Sequence, residues 1–231
     1  MNLVECKDLC KSFDGKMILK NINLTIESGK IIGLLGKNGQ GKSTLLKLMN
    51  DLLTPTSGEI LIKGQAPGVD SKKVVAYLPE RTYLDKSMTL KEIVKYFGEF
   101  YENFSEEKAF KLFEDLELDV EQKLVKMSKG MQEKVQLILV MSREADLYLL
   151  DEPLGGVDPA TRDYILDTIL SNFKDGASVI ISTHLISDIE RILDEVVFIN
   201  KGEIVLTSPA DELRNKENAS IDEIFRKQFK C

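Results

Sequence analysis

Nine consecutive residues, Gly36-Lys37-Asn38-Gly39-Gln40-Gly41-Lys42-Ser43-Thr44, fit the pattern G-x-x-x-x-G-K-[ST]. Their types suit a polyphosphate. Glycines let backbone N–H groups curl around an anion with no Cβ in the way. A helix starting behind the loop adds unpaired N–H donors and the positive end of its dipole. Lys42 then reaches the terminal phosphates, and the Ser43 hydroxyl can ligate Mg²⁺. The loop therefore predicts a nucleoside triphosphate site. Leu147-Tyr148-Leu149-Leu150-Asp151-Glu152 is an apolar strand ending in two carboxylates. Charge is expensive there unless it serves a ligand or a metal. Strand alternation sends Asp151 and Glu152 to opposite sides, so that one can approach Mg²⁺ while the other polarises a water for attack on the γ-phosphate. His184, the single histidine, follows the apolar run Val179 to Thr183. Its neutral imidazole can donate a hydrogen bond to the γ-phosphate. Solvated acids at a strand end and a structural histidine are the competing reading. The phosphate loop upstream favours chemistry.

These groups need a scaffold that brings them to one edge. The apolar run Lys30 to Leu35 precedes the loop as a buried strand. After the loop Leu45, Leu46, Leu48, Met49, Leu52 and Leu53 recur at helical spacing. Val4–Leu9 and Leu24–Ile26 read as strands around a turn at Asp14-Gly15-Lys16, and Glu59–Lys63 and Val74–Leu78 as two more. From about Asp85 to Met141 the periodicity is helical. Thr89-Leu90-Lys91-Glu92 fits a capping box, and Ser105 opens a second helix with an apolar stripe from Ala109 to Leu116. Lys126 to Gln132 opens a further helix and offers a second N-terminus with free N–H groups. Strands then return at Leu147–Leu150, Val179–Ser182, Val196–Ile199 and Glu203–Leu206. Helices centred on Tyr164–Leu170 and Ile186–Leu193 alternate with them, the pattern of a largely parallel sheet. Ile221 to Phe229 can form a short amphipathic helix.

Composition bounds the function. The 231 residues suffice for a large buried core. A formal net charge of −7 argues against a nucleic-acid partner, whose phosphates require a basic face. No apolar run approaches the ~18 residues needed to cross a bilayer. Met1 to Asp8 already carries Glu5, Lys7 and Asp8 and does not read as a secretory leader. Cys6, Cys10 and Cys231 show neither metal-ligand spacing nor an even-numbered framework, which suits a reducing cytosol.

Taken in order, these segments resemble the nucleotide-binding subunit of an ATP-binding cassette (ABC) transporter, from Phe13 to about Leu213. The resemblance implies an α/β fold: a P-loop NTPase with a RecA-like, mostly parallel core, an antiparallel N-terminal β part and an inserted helical subdomain. It implies one nucleotide-binding domain over 1–231, with a core of about 1–84 and 146–231 and the helical subdomain at about 85–145. By resemblance, Phe13 stacks on adenine, and Gly36, Asn38, Gly39, Gly41, Lys42, Ser43 and Thr44 form the Walker A loop. Ser43, Asp151 and Glu80 hold Mg²⁺, and Glu152 is the catalytic base, with Lys42 and His184 beside it. Ser128 and Gly130 belong to the signature loop and Asp158 to the D-loop, which meet the ATP held by a second cassette.

Two departures from the family pattern stand out. Glu80 replaces the usual glutamine, so a carboxylate can still ligate Mg²⁺ but the amide hydrogen bond to the attacking water is lost. Met-Ser-Lys-Gly-Met replaces Leu-Ser-Gly-Gly-Gln, with Ser128 and Gly130 retained. Both, with Glu152-Pro153-Leu154-Gly155-Gly156, resemble the bacterial exporter branch that handles drugs, peptide antibiotics or polysaccharides. The implied partners are an integral-membrane permease, touching the chain near Glu80–Phe97, and a second ABC subunit in a homo- or heterodimer, at the cytoplasmic face of a bacterial membrane. The rival readings are a soluble ABC ATPase acting on ribosomes or nucleic acid and a P-loop kinase. The first lacks its usual second cassette, coiled coil or zinc module here. The second leaves the signature loop and His184 without a role.

Overall fold

Asp14 and Gly15 take the left-handed backbone that a tight hairpin turn demands, with φ of 47° and 77°. They join Asn2–Phe13 (β1) to Lys16–Glu27 (β2). The computed structural model describes residues 2–229 of the chain. Ile31–Leu35 (β3) leads into the phosphate loop and Lys42–Met49 (α1) leaves it. α1 stops sooner than the periodicity predicts, and Leu52 lies beyond it, exposed. Asp51, at φ 54°, has already left the helical backbone. Ser57–Ile62 (β4) pairs antiparallel with β1, completing a sheet in the order β2-β1-β4.

Val69–Val74 (α2) is a short helix that the sequence reading does not foresee, and it takes Val74 from the strand predicted there. The Ser71 hydroxyl holds both the N–H and the carbonyl of Gly68 at 2.9 Å, which starts the turn. Val75–Leu78 (β5) begins one residue later than predicted. Leu90–Phe100 (α3) carries the predicted capping box: Glu92 N donates to Thr89 Oγ1 and Thr89 N to Glu92 Oε2, at 3.2 and 2.7 Å. Glu106–Asp115 (α4) is capped by Ser105 and Lys129–Met141 (α5) by Ser128. The apolar sides of α3, α4 and α5 meet in a cluster of their own, around Ile93, Phe97, Phe113, Val135 and Leu139.

From Leu147 strand and helix alternate: Leu147–Asp151 (β6), Pro159–Asn172 (α6), Ser178–Thr183 (β7), Ile186–Ile189 (α7), Glu195–Asn200 (β8), Glu203–Pro209 (β9), Ala210–Glu217 (α8) and Ile221–Phe229 (α9). The helix predicted over Ile186–Leu193 is a single turn followed by a 3₁₀ turn, Glu190–Ile192. The chain is extended again by Leu193, which lets the Asp194 carboxylate accept the Ile31 N–H at 2.7 Å.

The large sheet runs β5-β6-β7-β3-β8-β9, parallel except for β9. Its inner strands are apolar along their middles because both faces are covered, with polar residues confined to their ends. Leu35, Tyr148, Leu150, Ile181 and Phe198 point into the core shared with α5, α6 and α9. Their strand neighbours Leu34, Leu147, Leu149, Ile180 and Ile199 point the other way, against α1 and the N-terminal sheet.

Candidate functional site

β6, β7 and β3 are neighbours in the sheet and parallel, so their C-terminal ends emerge side by side. Asp151 and Glu152 stand at the first end, His184 at the second and the phosphate loop at the third. A cavity of about 1050 Å³ opens over all three, where ligands of open parallel sheets bind. Eleven of the predicted residues line it: Phe13, Asn38, Gly39, Gly41, Lys42, Ser43, Thr44, Glu80, Asp151, Glu152 and His184. The facing wall comes from α5, through Lys129, Gln132, Glu133 and Gln136.

Lys42 is 4% exposed, yet its ammonium is fully engaged. It donates to the carbonyls of Gly36 and Lys37 at 2.8 and 3.2 Å and pairs with Glu152 Oε1 at 3.0 Å. The other oxygen of Glu152 lies 2.9 Å from His184 Nδ1. Loop, carboxylate and imidazole thus form one polar chain. Gly36 sits at the root of the loop rather than in the cavity, and a Cβ there would come 2.7 Å from the Ile199 carbonyl oxygen. Gly39 and Gly41 have φ of 77° and 106°, which turns the loop back into α1.

Strand alternation does not govern the two acids. Glu152 lies past the strand, with φ of 48° and its N–H held by the Ser182 carbonyl at 3.0 Å. Both acids therefore line the same cavity. Asp151 Oδ1 accepts the Ser43 hydroxyl at 2.9 Å and the Ser182 hydroxyl at 2.6 Å. Burial pushes the Asp151 carboxyl above the usual carboxylate range; the two hydroxyls oppose this, and the charges of Glu152 and Glu80 add to it.

Ser182 and Gln136 are contributors that sequence reasoning misses. Ser182 is the register partner of Asp151, so a serine set in an apolar strand is its only signal. Gln136 donates to the Pro79 carbonyl at 3.1 Å and ties α5 to the segment carrying Glu80. Its signal is an amide one turn after Gln132, just before the helix becomes wholly apolar. Besides Gly36, three predicted residues are not brought to the cavity. Ser128 accepts from Met131 N at the start of α5, and Asp158 accepts from Thr161 N at the start of α6. Gly130 has open space where a Cβ would stand.

The model of the ABC transporter family matches residues 19–155, a span that takes in the phosphate loop and both carboxylates. The chain belongs to the ABC transporter family. Among its relatives is the ABC-type transporter ATP-binding protein EcsA of Bacillus subtilis (strain 168), 32% identical, with 97% of this chain and 96% of that one aligned. The lantibiotic transport ATP-binding protein SrtF of Streptococcus pyogenes is 28% identical over 98% of this chain and 97% of its own. A solved ATP-binding subunit of an ABC transporter superposes with a TM-score of 0.86 at 29% identity, covering 97% of this chain and 98% of the other. As an ABC ATP-binding subunit, the chain has a cavity that suits its ligand: a glycine loop at a helix N-terminus, a buried ammonium and an aromatic, Phe13, at the rim. Among the described residues no set of three or more His, Cys, Asp or Glu could hold a metal unaided. Ser43 and Asp151 are hard oxygen donors, and Asp151 is a buried carboxyl with two like charges nearby. That donor set fits Mg²⁺, which is usually held by one or two protein oxygens together with substrate phosphates and water.

Proposed function

We propose that this subunit hydrolyses ATP with Glu152 as the base that activates water. The observation that carries the reading is the 3.0 Å pair between Lys42 and Glu152 inside the cavity of the phosphate loop. A γ-phosphate gripped by Lys42 is thereby adjacent to the carboxylate that must take a proton from the attacking water. His184 orients Glu152 through Nδ1 and leaves its other ring nitrogen for the phosphate. Phe13 stacks on adenine, and the amides of Asn38, Gly39, Gly41 and Thr44 cradle the phosphates. Ser43 and Asp151, with Glu80 beside them, would hold Mg²⁺, which would supply positive charge to the phosphoryl oxygens. Ser128, Gly130 and Asp158 act across a dimer, on the nucleotide of a second ABC subunit. Their position outside this chain's own cavity supports that reading.

The assembly works at the cytoplasmic face of a bacterial membrane and drives export through a separate permease. The likeness to a lantibiotic transport protein supports this branch. Among the described residues no helix is long and apolar enough to cross a membrane, which agrees with a separate membrane chain. The helical part, about 85–145, forms a subdomain inserted in a core of about 1–84 and 146–231. The permease docks along Glu80–Phe97, where Tyr83 and Tyr96 are 55% and 49% exposed, while Leu84 and Phe97, which the sequence also offers as docking surface, are buried in the helical cluster and Met88 packs partly buried against it.

The test is capture of tagged protein from detergent-solubilised native membranes, with mass spectrometry of what accompanies it. The expected result is a multi-spanning protein in near-equal amount. Recovery of ribosomal or DNA-repair proteins with no membrane chain would overturn the assignment.

A further inference from the structure

α9 directs its apolar side at one spot. Phe225 and Phe229 meet at a tilt of 51° with ring centroids 4.4 Å apart, and each also meets Phe198 of β8, at 5.3 and 5.9 Å. Phe198 is fully buried and pairs in register with Leu35, the last strand residue before the phosphate loop. One residue further on, Gly36 packs against Ile199 so closely that it has no room for a Cβ. Lys37, the next loop residue, donates its ammonium to the backbone carbonyl of Phe229 at 3.4 Å. The last carbonyls of a helix lack intrahelical partners and carry the negative end of its dipole, so a cation is favoured there.

The start of α9 is fixed as firmly. Ser220 and Glu223 exchange two cap bonds, at 3.2 and 2.9 Å. Asp222 N donates to Glu190 Oε2 at 3.0 Å, which ties α9 to the 3₁₀ turn behind α7, in the segment that follows His184. One helix therefore touches the phosphate loop at its far end and the segment behind His184 at its near end.

We infer that α9 is a positioning element of the nucleotide site: it holds the phosphate loop in its cradle shape from beneath, through Phe229, Phe198 and the Lys37–Phe229 contact. The inference rests on the nucleotide-site reading above. A loop already in its bound shape loses less conformational freedom on binding, so loosening α9 weakens ATP binding while the sheet stays folded.

Hydrogen exchange and titration with a fluorescent ATP analogue test this on the whole chain, with Phe229→Ala, Lys37→Ala and the double variant. Losing a pair of aromatic contacts predicts affinity about three- to tenfold weaker. Phe229→Ala keeps the carbonyl that Lys37 reaches but frees the helix end that carries it, so the double variant should lose less than the product of the two single losses. Amides of Gly36–Gly41 should exchange faster in Phe229→Ala while those of β6 and β7 keep their protection, a split that general destabilisation would not give. Unchanged loop exchange in Phe229→Ala overturns the inference, as does a strictly multiplicative double variant. Failure of the wild-type chain to bind the analogue would count against the nucleotide reading instead, and the exchange comparison would still judge α9.

Discussion

Asp151 is held by two hydroxyls, and only one of them belongs to the phosphate loop. Ser43 would turn toward a metal, whereas Ser182, at 2.6 Å, sits in the neighbouring strand and fixes the carboxylate from behind. An orienting partner of this kind is worth ten- to a hundredfold in metal affinity in many sites. Ser182→Ala should therefore raise the Mg²⁺ concentration for half-maximal ATPase about tenfold and leave Mg²⁺-free nucleotide binding unchanged. An unaltered Mg²⁺ titration would contradict the role given to Ser182. The difference between Ser43 and Ser182 also marks what a sequence can show at this scale. The loop residues are contiguous and carry a recognisable pattern. Ser182 meets Asp151 only because β6 and β7 pair in one particular register, and register across a crossover is not written locally.

Elements are legible where one physical signal dominates. β3, β6, β7 and β8 read as strands because burial on both faces makes their middles runs of apolar residues, and α3 because its capping box is local. α2 escapes notice because its six residues have no apolar stripe and depend on Ser71 gripping Gly68. α7 is shorter than its periodicity because tertiary bonds at Asp194 pull the chain straight. Between elements, Asp146 ties three segments together: Lys63 after β4 lies 2.5 Å away and Lys174 after α6 at 2.9 Å. Burial pushes the Asp146 carboxyl up, but the two lysines outweigh it and hold it below the usual carboxylate range. Its folded value thus lies below its unfolded one. The stability it contributes is present at neutral pH and is lost as pH falls through the folded value. With both lysines partly exposed, Asp146→Asn should cost about 1 kcal/mol at pH 7. The gap from wild type should close in acid; a gap independent of pH would assign the loss to packing.

For the whole molecule the decisive feature is what one chain lacks. Its cavity collects the phosphate loop, both carboxylates and His184, while Ser128, Gly130 and Asp158 stay outside. On the proposal that they act across a dimer, they would serve the cavity of a second copy. With hydrolysis blocked by Glu152→Gln, ATP and Mg²⁺ should therefore convert a monomer to a dimer in light scattering. A monomer at saturating ATP would contradict the homodimer. The role of Glu152 can be tested first. Phosphate release by wild type and by Glu152→Gln should be measured beside ATP binding, at equal protein and saturating Mg²⁺. The account predicts that Glu152→Gln binds ATP about as well as wild type but turns over at least ~100-fold more slowly. Turnover equal to wild type would remove Glu152 from the chemistry, and with it the mechanism proposed for this site.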